Sequence, residues 1–390
     1  MSSPAAILAP RLAISAIFLV NGFFFGNWIT RIPDVKRALG VTDGELGTAL
    51  LALGLGALGA MLLSGSLIAR HGSRRVVAAM AVAYSFTPFL PVAADHYLVL
   101  VGGLLLFGIG AGAVDVSMNA QAALLEQKAG RPIMSSFHAA YSLGGLIGAA
   151  LGGLAAEAGI APFAHMLAIA MGGLAVNLAT LRHLFPDGPA PGGAEGPRLA
   201  WPTGALLPLA IVAFCCFLAE GAIADWSALY LREVLATDAG TAAAGYGAFS
   251  LAMTAGRFFG DRAVAAWGGR AVTRRGAALA AAGLVAALLL PWPPVAILGF
   301  GAVGLGLSNV VPVVFTQAAR HGEAGRSIAA VSTLGYLGFL LGPSIIGWFA
   351  VATSLPAALG LVTALIVVAG LLARGGAPGA APAAAAAETR

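Results

Sequence analysis

The chain has 390 residues, of which 59% are apolar and only 9% are charged, whereas a soluble domain carries about 25% charged residues. So few charged groups cannot cover a surface that faces water, and the composition excludes an ordinary soluble protein. The formal net charge is +5. Because the basic residues fall in short segments between apolar runs and form no basic arm, we expect no nucleic-acid partner.

Apolar runs of about 20 residues recur along the whole chain, and each could cross a hydrocarbon core of about 30 Å as a helix. Helices are expected because lipid offers no partner for an unpaired backbone amide. We therefore predict an all-α integral membrane protein with twelve transmembrane helices. The predicted spans lie near residues 12 to 33, 46 to 68, 76 to 94, 97 to 124, 135 to 156, 163 to 182, 205 to 231, 241 to 260, 275 to 292, 294 to 318, 327 to 350 and 355 to 373.

The spans fall into two groups of six, on either side of a polar segment rich in Pro and Gly. We predict an N-terminal six-helix bundle over residues 1–182, a linker over 183–204, a C-terminal six-helix bundle over 205–374 and a disordered tail over 375–390. No convincing small-residue cleavage site follows the first apolar run, so we interpret that run as a membrane span and not as a cleaved signal.

The basic residues are distributed unevenly between the two sides of the predicted topology. An even number of spans places both termini and the linker on one side, and that side holds all but four of the 21 Lys and Arg residues. The positive-inside rule therefore predicts a plasma (inner) membrane protein with both termini cytoplasmic. The four exceptions are Arg31, Lys36, Arg37 and Arg232.

The second group of spans repeats features of the first. Matching residues recur at a common offset of about 195 positions, which predicts two six-helix bundles related by pseudo-symmetry. They include Tyr141 and Tyr336, Gly65 and Gly260, and, slightly out of step, Asn27-Trp28 and Asp225-Trp226.

The loop after the second span carries a short pattern of glycines and arginines. Over residues 65–75 it places basic residues, among them Arg70 and Arg74, around a glycine. This pattern resembles the cytoplasmic signature of the major facilitator superfamily. Ala69 stands where that signature has an aspartate. Residues 256–262, with Arg257 and Asp261, resemble a degenerate second copy, in which Asp261 could supply a carboxylate.

The resemblance covers nearly the whole chain and implies the major facilitator fold. It also implies a monomeric secondary transporter in contact with membrane lipid, whose two bundles rock about a site for a small-molecule substrate near the midplane. We assign Arg70, Arg74, Arg257 and Asp261 to the charge network that governs this motion. Within the superfamily, the segment from Ser136 to Gly148, together with Asn309 and Pro312, resembles the fucose-permease-like branch.

Asp115 and Glu220 are the two best candidates among the carboxylates within predicted spans, where an ionised side chain costs about 2.5 to 3.5 kcal/mol on insertion scales. Asp115 lies on the fourth span, with Asn119 one turn later on the same face. Glu220 lies near the middle of the seventh. We predict that Asp115 and Glu220 couple transport to protons and that Asn119 binds substrate. The alternatives are a helix-packing carboxyl for Asp115 and an ion pair with Arg257 for Glu220.

Polar and aromatic residues on the first span suggest a wall of the substrate site. Asn21 and Trp28 share one stripe and could hold a sugar, although packing or interfacial anchoring is the alternative. We assign Arg31 to gating or to the charge network; it could bind an anion, exchange partners with Asp34 or reach toward water. Asp225 is rotated by about 140° from Glu220, and we assign it to a gate.

Three further residues are candidate substrate ligands. His138 and Tyr141 lie early on the fifth span, where an imidazole could bind a ligand or relay a proton; a satisfied core histidine is the alternative. Asn309 lies near Pro312, which predicts a kink in the tenth span with freed carbonyls. No other His or Cys lies at metal-ligand spacing with His138, so we expect no metal. We expect no other cofactor either.

We predict a secondary transporter that moves a small polar solute, sugar or sugar-like, together with protons. The sequence contains no phosphate-binding glycine loop ending in Gly-Lys-Ser/Thr, and the loops are too short for an ATPase domain, so the energy must come from a gradient or a partner. The leading alternative is a proton-driven exporter of drugs or metabolites. A scaffold without transport and an intramembrane enzyme are further alternatives, and we do not expect an enzyme because no catalytic arrangement is visible.

Overall fold

The computed structural model describes residues 4–129, 133–188, 201–318, 320–321 and 324–373. The middle of the predicted linker and the whole predicted tail, 375–390, lie outside these residues. The described chain forms α-helices, with a 3₁₀ turn at Pro91–Ala93 and a π-helical turn at Tyr230–Val234. The helices are α1 (Pro4–Leu39), α2 (Asp43–His71), α3 (Ser73–Tyr84), α4 (Tyr97–Ala129), α5 (Met134–Glu157), α6 (Pro162–Leu181), α7 (Leu206–Leu229), α8 (Ala239–Trp267), α9 (Gly269–Leu289), α10 (Pro293–Leu307), α11 (Val310–Ala318), α12 (Ala324–Ala352) and α13 (Leu355–Leu372).

Ten segments of the described chain are long and apolar enough to cross a membrane. One of them, Pro293–Ala318, consists of α10 and α11, which are separated at Ser308 and Asn309, close to the predicted kink. The two other predicted spans fall on α3, which has only 12 residues, and on α8, which carries several charges. The helices therefore correspond in order to the twelve predicted spans.

The third span differs from its prediction, because the helix ends at Tyr84 instead of continuing to residue 94. The Ser85 hydroxyl donates to the Ala81 carbonyl at 2.8 Å, and the Thr87 hydroxyl donates to the Tyr84 carbonyl at 2.8 Å. Pro88 follows, and a proline disfavours helical geometry in the residue before it. Local hydrogen bonds and the proline together replace the last turns of this helix.

The two halves are built in the same way, as the sequence repeat predicts. In the first half α1 packs on α5 and α2 on α4; in the second half α7 packs on α12 and α8 on α10. Equivalent glycines make these contacts. Gly144 of α5 lies against the Leu19 carbonyl of α1, and Gly338 of α12 lies against the Phe214 carbonyl of α7. The absence of a side chain lets the two backbones touch.

The halves meet along α2 with α12 and along α5 with α8. We call the end of the molecule where α6 ends and α7 begins the linker end, and the opposite end the distal end. At the distal end Gly47 packs against the Pro343 carbonyl, and the Trp348 Nε1 donates to the Thr48 hydroxyl at 2.9 Å. Gly153 of α5 packs on Ala243 of α8 at the same end. The halves are thus closed on each other distally.

Toward the linker end, side chains on the facing surfaces of the two halves are exposed. His138 of α5 is exposed, the Arg257 side chain of α8 is 42% exposed, and Tyr336 of α12 is 48% exposed. These residues lie on helices that touch across the halves nearer the distal end. The space between the halves, called the gap below, therefore opens at the linker end.

Replacing Gly144 by Val should destabilise the protein, because any Cβ at this position would overlap the Leu19 carbonyl oxygen. We expect a loss of about 1 to 3 kcal/mol, as for other overpacked sites, seen as a lower apparent Tm in detergent. Gly172→Val is the matched control, because nothing lies within 4 Å of a Cβ at Gly172. Equal losses in both variants would contradict the role of close backbone contact.

Candidate functional site

The two predicted proton-coupling carboxylates lie at the same depth on opposite halves. Asp115 of α4 and Glu220 of α7 are each about four helical turns from the linker end of their helices. Asp115 is half-buried and Glu220 is buried. One acidic group from each half is therefore held in the middle of the molecule.

Glu220 is only partly neutralised. Its Oε2 lies 3.7 Å from a guanidinium nitrogen of Arg257, so the predicted alternative of an ion pair is present but the contact is long for a hydrogen bond. Its Oε1 is buried without a hydrogen-bond partner among the described residues. A buried carboxylate oxygen in this state can accept a hydrogen bond from a ligand or carry a proton.

Asp115 is also incompletely satisfied. The Asn119 amide donates to the Asp115 backbone carbonyl at 2.8 Å and approaches the carboxylate Oδ1 at 3.3 Å. The predicted pairing of these two side chains on one face is therefore present. The Asn119 amide bonds mainly to the backbone carbonyl, so the Asp115 carboxylate can still accept further hydrogen bonds.

Tyrosines of both halves lie within electrostatic range of the two carboxylates. The Tyr141 hydroxyl of α5 interacts electrostatically with both Asp115 and Arg257. The Tyr246 hydroxyl of α8 interacts with Glu220 and Arg257, and Tyr336 interacts with Asp115. The polar surface thus runs from the first half to the second. Of these tyrosines only Tyr141 was predicted as a ligand, although the repeat pairs it with Tyr336.

His138 lies nearer the linker end of the gap. Its ring packs edge-on against Phe18 of α1, with the ring centroids 5.3 Å apart. The charge of Arg257 acts on it from the opposite half. The structure therefore brings His138 to the open side of the same polar surface.

The first helix contributes less to the gap than predicted. Trp28 is fully buried and packs against Phe107 of α4, with ring centroids 6.4 Å apart. Asn21 is 6% exposed, and its amide contacts the Met118 sulfur at 3.9 Å. Both side chains lie in the packing between α1 and α4, which is the alternative interpretation of this stripe.

Arg31 is a buried structural cation. Its guanidinium donates to His165 Nδ1 at 3.1 Å, to Asp34 Oδ2 at 2.9 Å and to the Ile160 carbonyl at 3.0 Å. It is 2% exposed, so it neither reaches water nor faces the gap. The hydrogen bond to Nδ1 requires that His165 be neutral.

Two other predicted residues lie at helix contacts. The Asn309 amide donates to the Gly256 carbonyl at 2.8 Å and to the Ser308 hydroxyl at 2.9 Å, and so joins the break between α10 and α11 to α8. Asp225 is 8% exposed and acts electrostatically on Tyr246. Tyr246 is therefore within electrostatic range of both Asp225 and Glu220. Asp225 lies closer to the distal end.

The linker-end turn between α2 and α3 is bound by a carboxylate from another segment, which the sequence pattern did not indicate. Asp187, just after α6, accepts from the Ser73 amide and hydroxyl, both at 2.6 Å, and from the Arg74 amide at 2.9 Å. It caps α3 and brings an acidic group to the loop in which Ala69 replaces the expected aspartate. Arg70 is exposed. The side chain of Asp261 lies outside the described part of the chain.

A distal ion-pair cluster was also missed. Lys36 Nζ lies 2.7 Å from Asp43 Oδ1 in its own half and 2.5 Å from Glu233 Oε2 in the other half. Lys36 is one of the few basic residues on that side of the predicted topology, and this exception could have indicated an ion pair there. Glu233 lies 197 positions after Lys36, and nothing in the sequence pairs the two.

No group of three or more His, Cys, Asp or Glu side chains that could hold a metal ion was found among the residues that the structure describes. The polar groups that surround the gap are carboxyl, guanidinium, phenol and imidazole. Such a surface binds solutes by hydrogen bonds and charge and can exchange protons with them.

A sequence model of the Major Facilitator Superfamily matches residues 14–343. The chain belongs to this superfamily. It is 34% identical over 371 residues to an uncharacterised MFS-type transporter of Yersinia pestis, covering 94% of this chain and 96% of that protein. It is 36% identical over 366 residues to membrane protein MosC of Rhizobium meliloti, covering 92% of this chain and 88% of that protein. The predicted family is confirmed.

Solved structures share the fold. A bacterial homologue of the human lysosomal transporter Spinster, in an inward-facing and unoccupied conformation, has a TM-score of 0.76 at 14% identity, covering 96% of this chain and 97% of that chain. A D-xylose–proton symporter has a TM-score of 0.75 at 14% identity, covering 94% of this chain and 97% of that chain. The protein is therefore a multi-pass membrane transporter with the major facilitator fold, and the predicted fold class is confirmed.

Replacing Arg257 by Gln should lower the apparent Tm of this transporter, because Glu220 then keeps a buried carboxylate without its cation. The Glu220→Gln/Arg257→Gln double variant should regain part of the loss. Scanning fluorimetry of Arg257→Gln, Glu220→Gln and the double variant gives the coupling free energy between the two side chains. We expect about 1 kcal/mol, between the values for exposed and buried pairs. Strict additivity would show that the two side chains are not coupled.

Proposed function

We propose that this transporter moves a small, hydroxyl-rich solute together with protons by alternating access. One observation carries the proposal: Asp115 and the Glu220–Arg257 pair lie at equal depth on opposite halves of an open gap and are incompletely paired. Buried charges left unsatisfied are costly, so their retention points to use in the transport cycle.

Proton coupling follows from the chemistry of these carboxylates. Either carboxylate can be neutral when its surroundings are closed and ionised when the gap admits water, since burial penalises the charged form. Protonation of Glu220 would weaken its attraction to Arg257 and free the guanidinium for a solute. Binding of solute and proton would then change the relative stability of the two orientations, which is the requirement for coupled transport.

The conformation supports a cycle with two orientations. The gap is closed distally by Lys36 and Glu233 and by the contact of α2 with α12, and it opens at the linker end. We assign the linker end to the cytoplasm because most basic residues lie there. The structure would then be an inward-open state of a monomeric inner-membrane protein with both termini cytoplasmic.

The lining of the gap favours a polyhydroxylated solute. Phenol, amide, carboxylate and guanidinium groups offer both donors and acceptors. The similarity in fold to a D-xylose–proton symporter is compatible with this assignment. An exporter of lipophilic compounds is the second candidate, because Phe217, Tyr336 and Phe339 form an aromatic cluster with ring centroids 5.2 and 4.8 Å from Phe217, and Tyr336 and Phe339 are exposed.

The first test is the thermal stability of the purified protein with sugars, polyols, organic anions and lipophilic cations at pH 5.5 and 7.5. A ligand at 100 times its Kd stabilises by about 2.7 kcal/mol. A sugar or polyol that stabilises the wild type and is carried into proteoliposomes by a proton gradient would support the proposal. Stabilisation by lipophilic cations alone would favour the exporter.

Replacing Asp115 by Asn should abolish accumulation of the solute against its gradient and leave counterflow exchange, because the amide keeps hydrogen bonds but cannot take up and release a proton. Proteoliposome flux with and without a pH gradient measures both. Asp95→Asn is the control, since Asp95 lies in an exposed turn outside the helices. Accumulation at the wild-type level in Asp115→Asn would remove Asp115 from the coupling mechanism.

Joining the halves at the distal end should stop transport. In a background without Cys215 and Cys216, the Lys36→Cys/Glu233→Cys variant treated with a short thiol cross-linker should lose flux and regain it on reduction. The matched control is Lys36→Cys/Asp43→Cys, whose two positions belong to the same half. Full flux in the cross-linked Lys36→Cys/Glu233→Cys protein would contradict distal opening.

A further inference from the structure

The turn between α8 and α9 at the linker end concentrates positive charge. Gly268, with φ of +76°, reverses the chain between the two helices. Four exposed arginines surround this turn, and we call them the arginine turn: Arg262, Arg270, Arg274 and Arg275. Between residues 258 and 275 the sequence contains one acidic residue, Asp261. The turn is therefore strongly basic.

An exposed tryptophan lies within the arginine turn. Trp267, the last residue of α8, is 58% exposed, and the Arg275 guanidinium lies 5.1 Å from its ring centroid. A guanidinium over an indole face is held by a cation–π interaction and keeps its N–H groups free for an anion. Tryptophan is also a residue typical of the level of lipid headgroups.

The outer face of α8 continues this site toward the membrane. Gly256 and Gly260 face Ser308 and Asn309, and Arg257 faces the gap. The remaining face carries Phe258, which is 77% exposed, and Phe259, which is 53% exposed. Arg262 lies one turn beyond Phe258 on that face. Basic groups are thus placed directly above exposed aromatic rings.

The equivalent turn of the first half, residues 65–75, also carries Arg70, Arg74 and Arg75 but contains no tryptophan or phenylalanine. There Asp187 binds the Ser73 and Arg74 amides and so supplies a carboxylate close to the basic residues. The exposed residues on α2 toward the membrane are aliphatic, namely Leu62 and Leu63. The general excess of positive charge at the linker end therefore does not explain why arginines occur together with exposed aromatic residues in the second half.

We propose that the arginine turn binds the phosphate headgroup of an anionic phospholipid, whose acyl chains lie against Phe258 and Phe259. The arginines provide bidentate donors for phosphate. The adjacent aromatic face selects a lipid over a soluble phosphate, because it offers apolar contact only to a ligand with chains. The site is distinct from the transport gap, and its test does not depend on the identity of the solute.

The test uses the quenching of tryptophan fluorescence by brominated phosphatidylglycerol in detergent–lipid micelles, with brominated phosphatidylcholine at the same mole fraction as reference. The wild type should be quenched preferentially by phosphatidylglycerol, and Trp267→Phe should remove most of that preference. The Arg270→Gln/Arg274→Gln/Arg275→Gln variant should lower the relative affinity for phosphatidylglycerol by about tenfold or more.

The matched control is Arg70→Gln/Arg74→Gln/Arg75→Gln in the first half, which should retain the preference. Equal loss in both triple variants would overturn the proposal, because it would show general attraction to positive loops. Displacement of the lipid by millimolar inorganic phosphate or glycerol phosphate would assign the site to a soluble anion and also overturn it. A circular dichroism spectrum and melting curve of each variant establish that the protein remains folded.

Discussion

The arrangement of the site depends on the contact of helix backbones at glycine. Lipid provides little hydrophobic force between helices, so packing at small residues holds the bundle together. Gly22 and Gly26 of α1 lie against the Tyr141 and Gly145 carbonyls of α5, and this contact fixes the height at which Tyr141 enters the gap. The Tyr246 hydroxyl of the other half lies beside Gly145, 3.5 Å from the place of a Cβ. The polar surface across the two halves is set by these contacts.

The charged residues within the bundle divide into two kinds. Arg31 has three partners at 2.9 to 3.1 Å and is sealed from the gap, as expected for a charge that stabilises structure. Among the described residues Glu220 has one distant partner and an unsatisfied oxygen, and the Asn119 amide beside Asp115 is shared with the backbone. A group that must gain and lose a proton cannot be tied as firmly as Arg31 is, because firm pairing would hold it in one charge state.

Local patterns in the sequence were sufficient for the fold and the family and for placing Asp115 and Glu220 within spans, since span length, repeat offset and the cost of a charge in lipid are all visible in one chain. The Glu220–Arg257 pair was open to prediction for the same reason. Lys36 with Glu233 and Asp187 with Ser73 were not, because each contact joins segments whose distance in space depends on the packed halves. Trp28 was assigned to the gap because a helical stripe shows which residues share a face and not which neighbour that face meets.

The contact between the halves has a kinetic consequence. Where α2 meets α12 and α5 meets α8, several of the closest contacts are made by Gly47, Gly347, Gly153 and Ala243, which have no rotamers to rearrange. If the halves rock as proposed, these contacts can slide or tilt without the sequential release of interlocked side chains, and we expect them to add little friction. The barrier to reorientation then resides mainly in the few directional bonds at the distal end. A transporter built in this way has a turnover rate that responds to single polar substitutions more than to changes in the bulk of its core.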